Sequence, residues 1–290
     1  MKKILCAVLV VLALSCCAHS LEKRIVRLGL LSKLNTTQEE FADTWKKTFA
    51  PKRGELEIKM YFYDSLNAMQ MGLNAGDIQE MVLPEAVAEY VMNINPEYKA
   101  SLVLRSGGMG LAFGFREDSR ELRDKFNEAL RALRENWTLA AIEGVYIASP
   151  GVSEPDPVKF ATFDNADTIK VAVTGDLPPI DFIASDGTPA GFNTAVLAEI
   201  GNYLHMNISL VEIDAGARTA ALASGRADVV FWYEVDSTAQ RQPDIPDGVI
   251  LSTPYYEWNR FIHVRRQKQQ TQSGGWTWDL KQSIMNLYGW

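Results

Sequence analysis

The strongest constraint in this chain is an alternation of short apolar strands and helices that runs twice, once on each side of a proline-rich break. Strands alternating with helices pack as parallel βαβ units, with helices covering the sheet. Before the break, residues 25–31 form an apolar, strand-like run. Thr37 and Glu40 then fit a capping box opening a helix that runs to about Phe49. Residues 56–63 alternate as a strand, 66–73 read as a helix stopping near Gly76, 81–83 as a short buried strand, and 85–92 as a helix. Residues 101–115 are Gly-rich and apolar, which suits one or two strands. Residues 121–146 read as one helix, with Leu122, Phe126, Leu130 and Leu133 on one face.

The break itself, residues 150–167, holds three prolines, several acids and no periodicity, so it reads as a linker. Beyond it the pattern restarts. Residues 170–173, 209–213, 229–233 and 261–264 read as strands, and 193–204 and 217–223 as helices. The stretch 175–186 is a loop rich in Pro and Asp. Leu73-Asn-Ala-Gly76 before Met81-Val82 echoes Leu222-Ala-Ser-Gly225 before Val229-Val230. Each copy is a helix ending at Gly, followed by a buried strand, so the chain reads as two similar α/β lobes.

Composition narrows the function. The chain has 290 residues, 47% of them hydrophobic and 22% charged, which excludes a disordered tail or a coiled-coil rod. A formal net charge of −7 argues against a nucleic-acid partner bound through phosphates. Cys6, Cys16 and Cys17 all fall at the start of the chain, beside Lys2, Lys3 and the apolar run 4–14. That order reads as an export signal over residues 1–20, cleaved after Ala18 or Ser20. Leu14-Ser15-Cys16-Cys17 loosely matches a lipobox, so a lipid anchor is an open alternative. The expected product is periplasmic or extracellular, free of cysteine, and has no membrane-spanning helix.

Catalytic constellations are thin. His205 and His263 lie far apart and read as structural, and no phosphate loop, Gly-x-Ser-x-Gly elbow or His-Glu-x-x-His stretch occurs. Asp176, Asp181 and Asp186 read as solvated loop acids. We therefore expect no enzyme activity, no metal and no cofactor. Three features suit a small ligand instead. Gly175-Asp176-Leu177-Pro178-Pro179 directly follows a strand, where open α/β sheets bind ligands. Thr238-Ala239-Gln240-Arg241 lies just past the strand ending at Tyr233, and an Arg there can fork onto a carboxylate. Asn35-Thr36-Thr37 opens a helix whose free N–H groups favour an anion.

Together these residues resemble the family 3 extracellular solute-binding proteins of ABC importers. The order is the Pro-Pro loop, Asp186-Gly187, Gly191-Phe192, Leu222-x-x-Gly225-x-x-Asp228-Val-Val, Thr238-x-x-Arg241 and Ser252-x-Pro254-Tyr255-Tyr256. The first half resembles the family's other lobe. There, residues 25–31 precede Asn35-Thr36-Thr37-Gln38-Glu39, Leu73-x-x-Gly76 leads to Ala88-Glu89-Tyr90, and Phe115-Arg116, Leu122, Asn127, Leu130, Leu133 and Ile142 follow. Lobe two thus comes first and lobe one last, as in a circular permutation or a fragment of a tandem array.

The resemblance implies a type II periplasmic-binding-protein-like α/β fold of two lobes, each a mostly parallel sheet flanked by helices. It divides the chain into a signal (1–20), a lobe-two-like domain (21–105), a return strand and closing helix (106–147), a linker (148–168), a lobe-one-like domain (169–266) and an aromatic tail (267–290). It implies that Arg241, Thr238, Thr36 and Thr37 hold a ligand carboxylate. The family's ammonium-binding Asp falls at Pro84, beside Glu85, and its usual aromatic is Leu177 here. Its two small polar contacts are Glu234 and Asp236, and its usual Asp at position 193 is Asn193. Asp176 and Tyr233 would complete the site, and either Glu85 or Glu234 would supply its negative group, or else the ligand is not a simple α-amino acid. The implied function is binding a small carboxylate-bearing solute, an amino acid, in an interlobe cleft. The implied protein is a monomer that meets a transporter permease and touches the membrane only through it or a lipid anchor. The implied alternatives are a cyclohexadienyl dehydratase-like enzyme and a sensory or degenerate binding domain.

Overall fold

The computed structural model describes residues 24–32, 37–49, 56–148, 150–152, 157–184, 186–236 and 244–267. The expected signal, lipobox and aromatic tail lie outside them. The first half of the chain runs β1 (Arg24–Leu31), α1 (Gln38–Phe49), β2 (Leu56–Tyr63), α2 (Leu66–Ala75), β3 (Glu80–Pro84) and α3 (Glu85–Ile94). The capping box opens α1: Thr37 N donates to Glu40 Oε2 at 3.0 Å, and Glu40 N donates to Thr37 Oγ1 at 3.1 Å. The bonds that Thr37 N and Thr37 Oγ1 donate to the Glu40 carboxylate hold its pKa below the usual value. Ser65 caps α2 by accepting from Ala68 N at 3.1 Å. The helix ends at Gly76, whose φ of 83° suits a residue without Cβ.

A 19-residue strand, β4 (Tyr98–Arg116), then crosses to the second half. It stands where one or two strands were expected. Two helices follow, α4 (Arg120–Glu135) and α5 (Thr138–Tyr146). The single helix expected here is broken because Trp137 takes a left-handed φ of 66°, and Asn136 Oδ1 accepts from Thr138 N at 3.0 Å to start the next helix. Residues 157–167 contain no helix or strand.

The second half runs β5 (Thr168–Val173), β6 (Asp176–Leu177), β7 (Asp181–Ile183), β8 (Pro189–Ala190), α6 (Phe192–Leu204), β9 (Asn207–Glu212), α7 (Arg218–Ala223), β10 (Val229–Asp236), β11 (Val249–Leu251) and β12 (Tyr256–Arg266). The loop expected over 175–186 is partly a small antiparallel sheet, β6-β7-β8. The strand expected at 261–264 is longer, because β12, like β4, serves both halves.

The main sheet has the order β2-β1-β3-β12-β4-β10-β5-β9, with β11 beside β4. In the first half, β1 pairs in parallel with β2 and β3. In the second, β5 pairs in parallel with β9 and β10. Each parallel trio therefore has its first strand in the middle. β12 closes the first trio by pairing antiparallel with β3, and β4 closes the second by pairing antiparallel with β10. The long strands also pair with each other, from Tyr256↔Leu111 to Arg266↔Tyr98, and so tie the halves into one ladder. The fold class is α/β, as the alternating pattern requires.

The largest core cluster spans both halves. Phe126 of α4 meets Phe113 and Phe115 of β4 edge-on, at 5.3 and 5.1 Å between ring centroids. Tyr255 stacks on Phe113 at 4.4 Å. Burying an aromatic side chain contributes about 1.5–3 kcal/mol from apolar area, so this cluster anchors the second half of β4. Two smaller clusters fill the opposite faces. One sets Val26, Leu28 and Leu30 against Phe41, the other sets Val230 and Tyr233 against Ala221 and Leu222.

Candidate functional site

In an open α/β sheet, a crevice forms where the helix connections of two adjacent strands leave in opposite directions. β5 leads through α6 to β9 on one side, and β9 returns through α7 to β10 on the other. The second half therefore has its crevice at the carboxyl ends of β5 and β10. By the same argument, the first half has one at the carboxyl ends of β1 and β3. Across the halves, α2 touches β6, and the Tyr90 ring of α3 lies 6.3 Å from the Phe182 ring of β7.

The sequence-predicted residues fall at these two places in the chain. After β5 come Asp176 and Leu177. Leu177 is buried against the main core. The hairpin that follows is pinned by Asp181, whose Oδ2 accepts from Thr174 N at 3.0 Å and Thr174 Oγ1 at 2.8 Å. Burial pushes the Asp181 carboxyl pKa up against the pull of these bonds, and the Asp176 charge adds to the rise. Asp181 is thus a buried structural acid rather than the solvated one expected. Asp186 is exposed and accepts from Thr188 N and Oγ1, at 2.9 and 2.6 Å.

At the end of β10, Tyr233 is buried beneath α7. Its ring occupies the space where a side chain at Gly114 would go, which explains a glycine in the facing strand β4. The Tyr233 hydroxyl has no partner at hydrogen-bond geometry, although Thr219 lies near enough to act on its ionisation. Glu234 and Asp236 follow, both half-buried and both engaged by other groups. Thr238 and Arg241 lie outside the described residues.

In the first half, Thr36 also lies outside the described residues, and Thr37 spends its hydroxyl on the capping box. Glu85, after β3, accepts from Arg260 Nε of β12 at 2.8 Å, and its other oxygen pairs with Arg260 Nη2. This bidentate pair joins the start of α3 to a strand that serves both halves. Burial raises the Glu89 pKa one turn on, Glu85 repulsion adds to it, and Arg260 opposes it.

One residue of the second crevice was not anticipated. Arg218, the first residue of α7, is only 5% exposed. Its guanidinium carbon lies 4.1 Å over the Trp232 ring, and its Nη1 donates to Trp232 O at 3.1 Å. Burial pushes the guanidinium pKa down, while Tyr233, Asp176, Asp181 and Asp244 hold it up. The sequence signal was an Arg three and four positions before Ala221 and Leu222, on the inward face of a short helix. Among the described residues, no group of three or more His, Cys, Asp or Glu side chains is placed to hold a metal ion, and no helix is long and apolar enough to cross a membrane.

Residues 169–282 match the sequence profile of the bacterial extracellular solute-binding proteins, family 3. The resemblance read from the residues stands over that segment. Apart from it, no curated protein matches the chain. Several solved structures align over most of it. One is a ligand-binding component of an ABC-type import system from Staphylococcus aureus, with zinc bound, at 11% identity and a TM-score of 0.46, covering 91% of this chain and 71% of that one. Another is an ABC transporter periplasmic substrate-binding protein from Coxiella burnetii, at 11% identity and a TM-score of 0.41, covering 90% and 91%. A third is the oxidised form of OxyR, at 10% identity and a TM-score of 0.42, covering 93% and 97%.

Proposed function

We propose that this chain is an extracytoplasmic solute-binding protein that holds a small carboxylate-bearing solute, an amino acid, between its halves and presents it to an ABC importer. What supports the reading is the strand order, in which the crossovers change direction at the carboxyl ends of β1 and β3 in one half and of β5 and β10 in the other, where open α/β sheets form a crevice. The candidate site residues follow those strands. Arg241 and Thr238 after β10, with Thr36 and Thr37 after β1, take the carboxylate. Asp176, Tyr233, Glu234, Asp236 and Leu177 line the second crevice, and Glu85 the first. Either Glu85, which pairs with Arg260, or Glu234 supplies the negative group for an ammonium.

The protein acts as a monomer exported by its first 20 residues. The two strands that serve both halves, β4 and β12, supply the flexure for closing over the solute. The reading is of binding rather than catalysis. The buried crevice acid with a raised pKa, Asp181, spends its hydrogen bonds on holding the hairpin at Thr174.

A thermal-shift screen of the full chain against amino acids and small carboxylates tests this. At least one should raise the midpoint of the wild type and leave Arg241→Ala unmoved. Equal responses from both proteins would remove Arg241 from the site, and no response from the wild type would reject the reading.

A further inference from the structure

The structure assigns Arg218 a role in choosing the solute: it is a resident cation that fills one end of the second crevice, so that the cleft refuses solutes with a cationic side chain. This rests on the solute-binding reading and deepens it by naming the class excluded.

Three observations meet at this residue. The first is place. Arg218 opens α7, which follows β9, so its backbone stands at the carboxyl ends of the parallel strands, beside the crevice between β5 and β10. The second is the manner of its holding. A guanidinium whose carbon sits 4.1 Å over an indole, with a carbonyl oxygen at 3.1 Å and carboxylates acting on it, is how a protein receives a guanidinium or ammonium ligand. Here the chain supplies that cation from its own Arg218 side chain.

The third is charge. Asp176 stands on β6, Asp181 on β7 and Asp244 beyond β10, so acids from three separate segments act on one buried arginine. A second cation arriving there would find the ring face covered and the acids already compensated. It would also meet a like charge in a medium of low dielectric. A neutral or anionic end meets none of these obstacles. The Trp232 Nε1 donor beside it is buried and has no partner.

Two variants of the full chain, Arg218→Ala and Arg218→Lys, test the assignment by thermal shift and calorimetry, with L-arginine and guanidinium ion as probes and sodium chloride at equal ionic strength as control. The wild type should give no response to L-arginine. Arg218→Ala should have a lowered midpoint that guanidinium restores and sodium does not, and should bind L-arginine at least tenfold more tightly than the wild type. Arg218→Lys keeps the cation and should still refuse L-arginine. If Arg218→Ala folds poorly, its soluble yield with and without guanidinium gives the same reading. The assignment is overturned if the wild type binds L-arginine, or if guanidinium does no more than sodium for Arg218→Ala. A failure of the solute-binding reading looks different: no solute would move the wild type, yet the guanidinium response of Arg218→Ala would remain.

Discussion

In the first half of the sheet, Glu80 and His263 lie side by side on β3 and β12, almost fully buried, with His263 Nδ1 2.8 Å from Glu80 Oε2. In the second half, Arg218 is buried beside the crevice, and Tyr233, Asp176, Asp181 and Asp244 act on its charge. The strand order around the two features is the same, but their settings are not. Glu80 stands at the start of β3, away from the carboxyl end where a ligand would sit. Its partner comes from a neighbouring strand, so the contact is made within the sheet, with Glu80 Oε1 and His263 Nε2 buried and without a hydrogen-bond partner. Arg218 draws its compensation from the segments that form the crevice, so whatever the crevice holds must answer to it. A buried charge is informative about function according to where its partners come from, more than according to how deeply it lies.

This contrast can be broken by mutation. The largest effect is expected in the first half. Removing one partner of this buried hydrogen-bonded pair, as in Glu80→Ala, should cost about 3 kcal/mol in urea unfolding, because it leaves the buried His263 ring without that bond. Replacing both, as Glu80→Leu with His263→Leu, should recover most of that loss. A single variant within about 1 kcal/mol of the wild type would show that the bond does not hold the two strands together. Neither change should alter solute preference, whereas Arg218 variants should.

A smaller effect is expected where the linker fastens to the second half. Asn207 Oδ1 accepts from Phe163 N at 2.8 Å, and its Nδ2 donates to Phe163 O and Ala166 O at 3.0 and 3.2 Å. Asn207→Ala should cost about 1–3 kcal/mol and should raise amide exchange at Phe163 without touching the first half. Uniform exchange across both halves would contradict the local role.

The smallest effect is a pH dependence at Glu89. Its folded pKa lies above the ordinary carboxyl value, chiefly through burial, so the folded state binds its proton more readily than the unfolded state does. The stability held below the ordinary Glu pKa is therefore lost as pH rises through the folded value. Glu89→Gln should be more stable than the wild type at neutral pH and equal to it in acid, as read from thermal midpoints across pH. A gain that grows in acid would reverse the sign.

Much of this arrangement was legible in the residues. Thr37 and Glu40 announced their capping box, and the twice-run alternation announced two parallel trios. The length of β4 was hidden because Gly107, Gly108 and Gly110 look like turn residues, yet at Gly110 a side chain would crowd Tyr256 O and Pro254 of the next strand. The break between α4 and α5 was hidden because an apolar periodicity continues across it, and only the backbone of Trp137 departs. Arg218 was hidden for a different reason. An arginine on a short helix is usually solvated, and its burial depends on Trp232, Asp176, Asp181 and Asp244, which lie elsewhere in the sequence. Charge compensation across segments has no local signature, whereas caps and strand periods do.

The central claim is that the two crevices hold one small solute. Native mass spectrometry of the freshly purified full chain tests it most directly. The account predicts a mass increment of one small carboxylate-bearing molecule per chain, lost on denaturation, regained on its addition after refolding, and absent from Arg241→Ala. A chain that carries no increment, and takes none up from amino acids or small carboxylates, would contradict it.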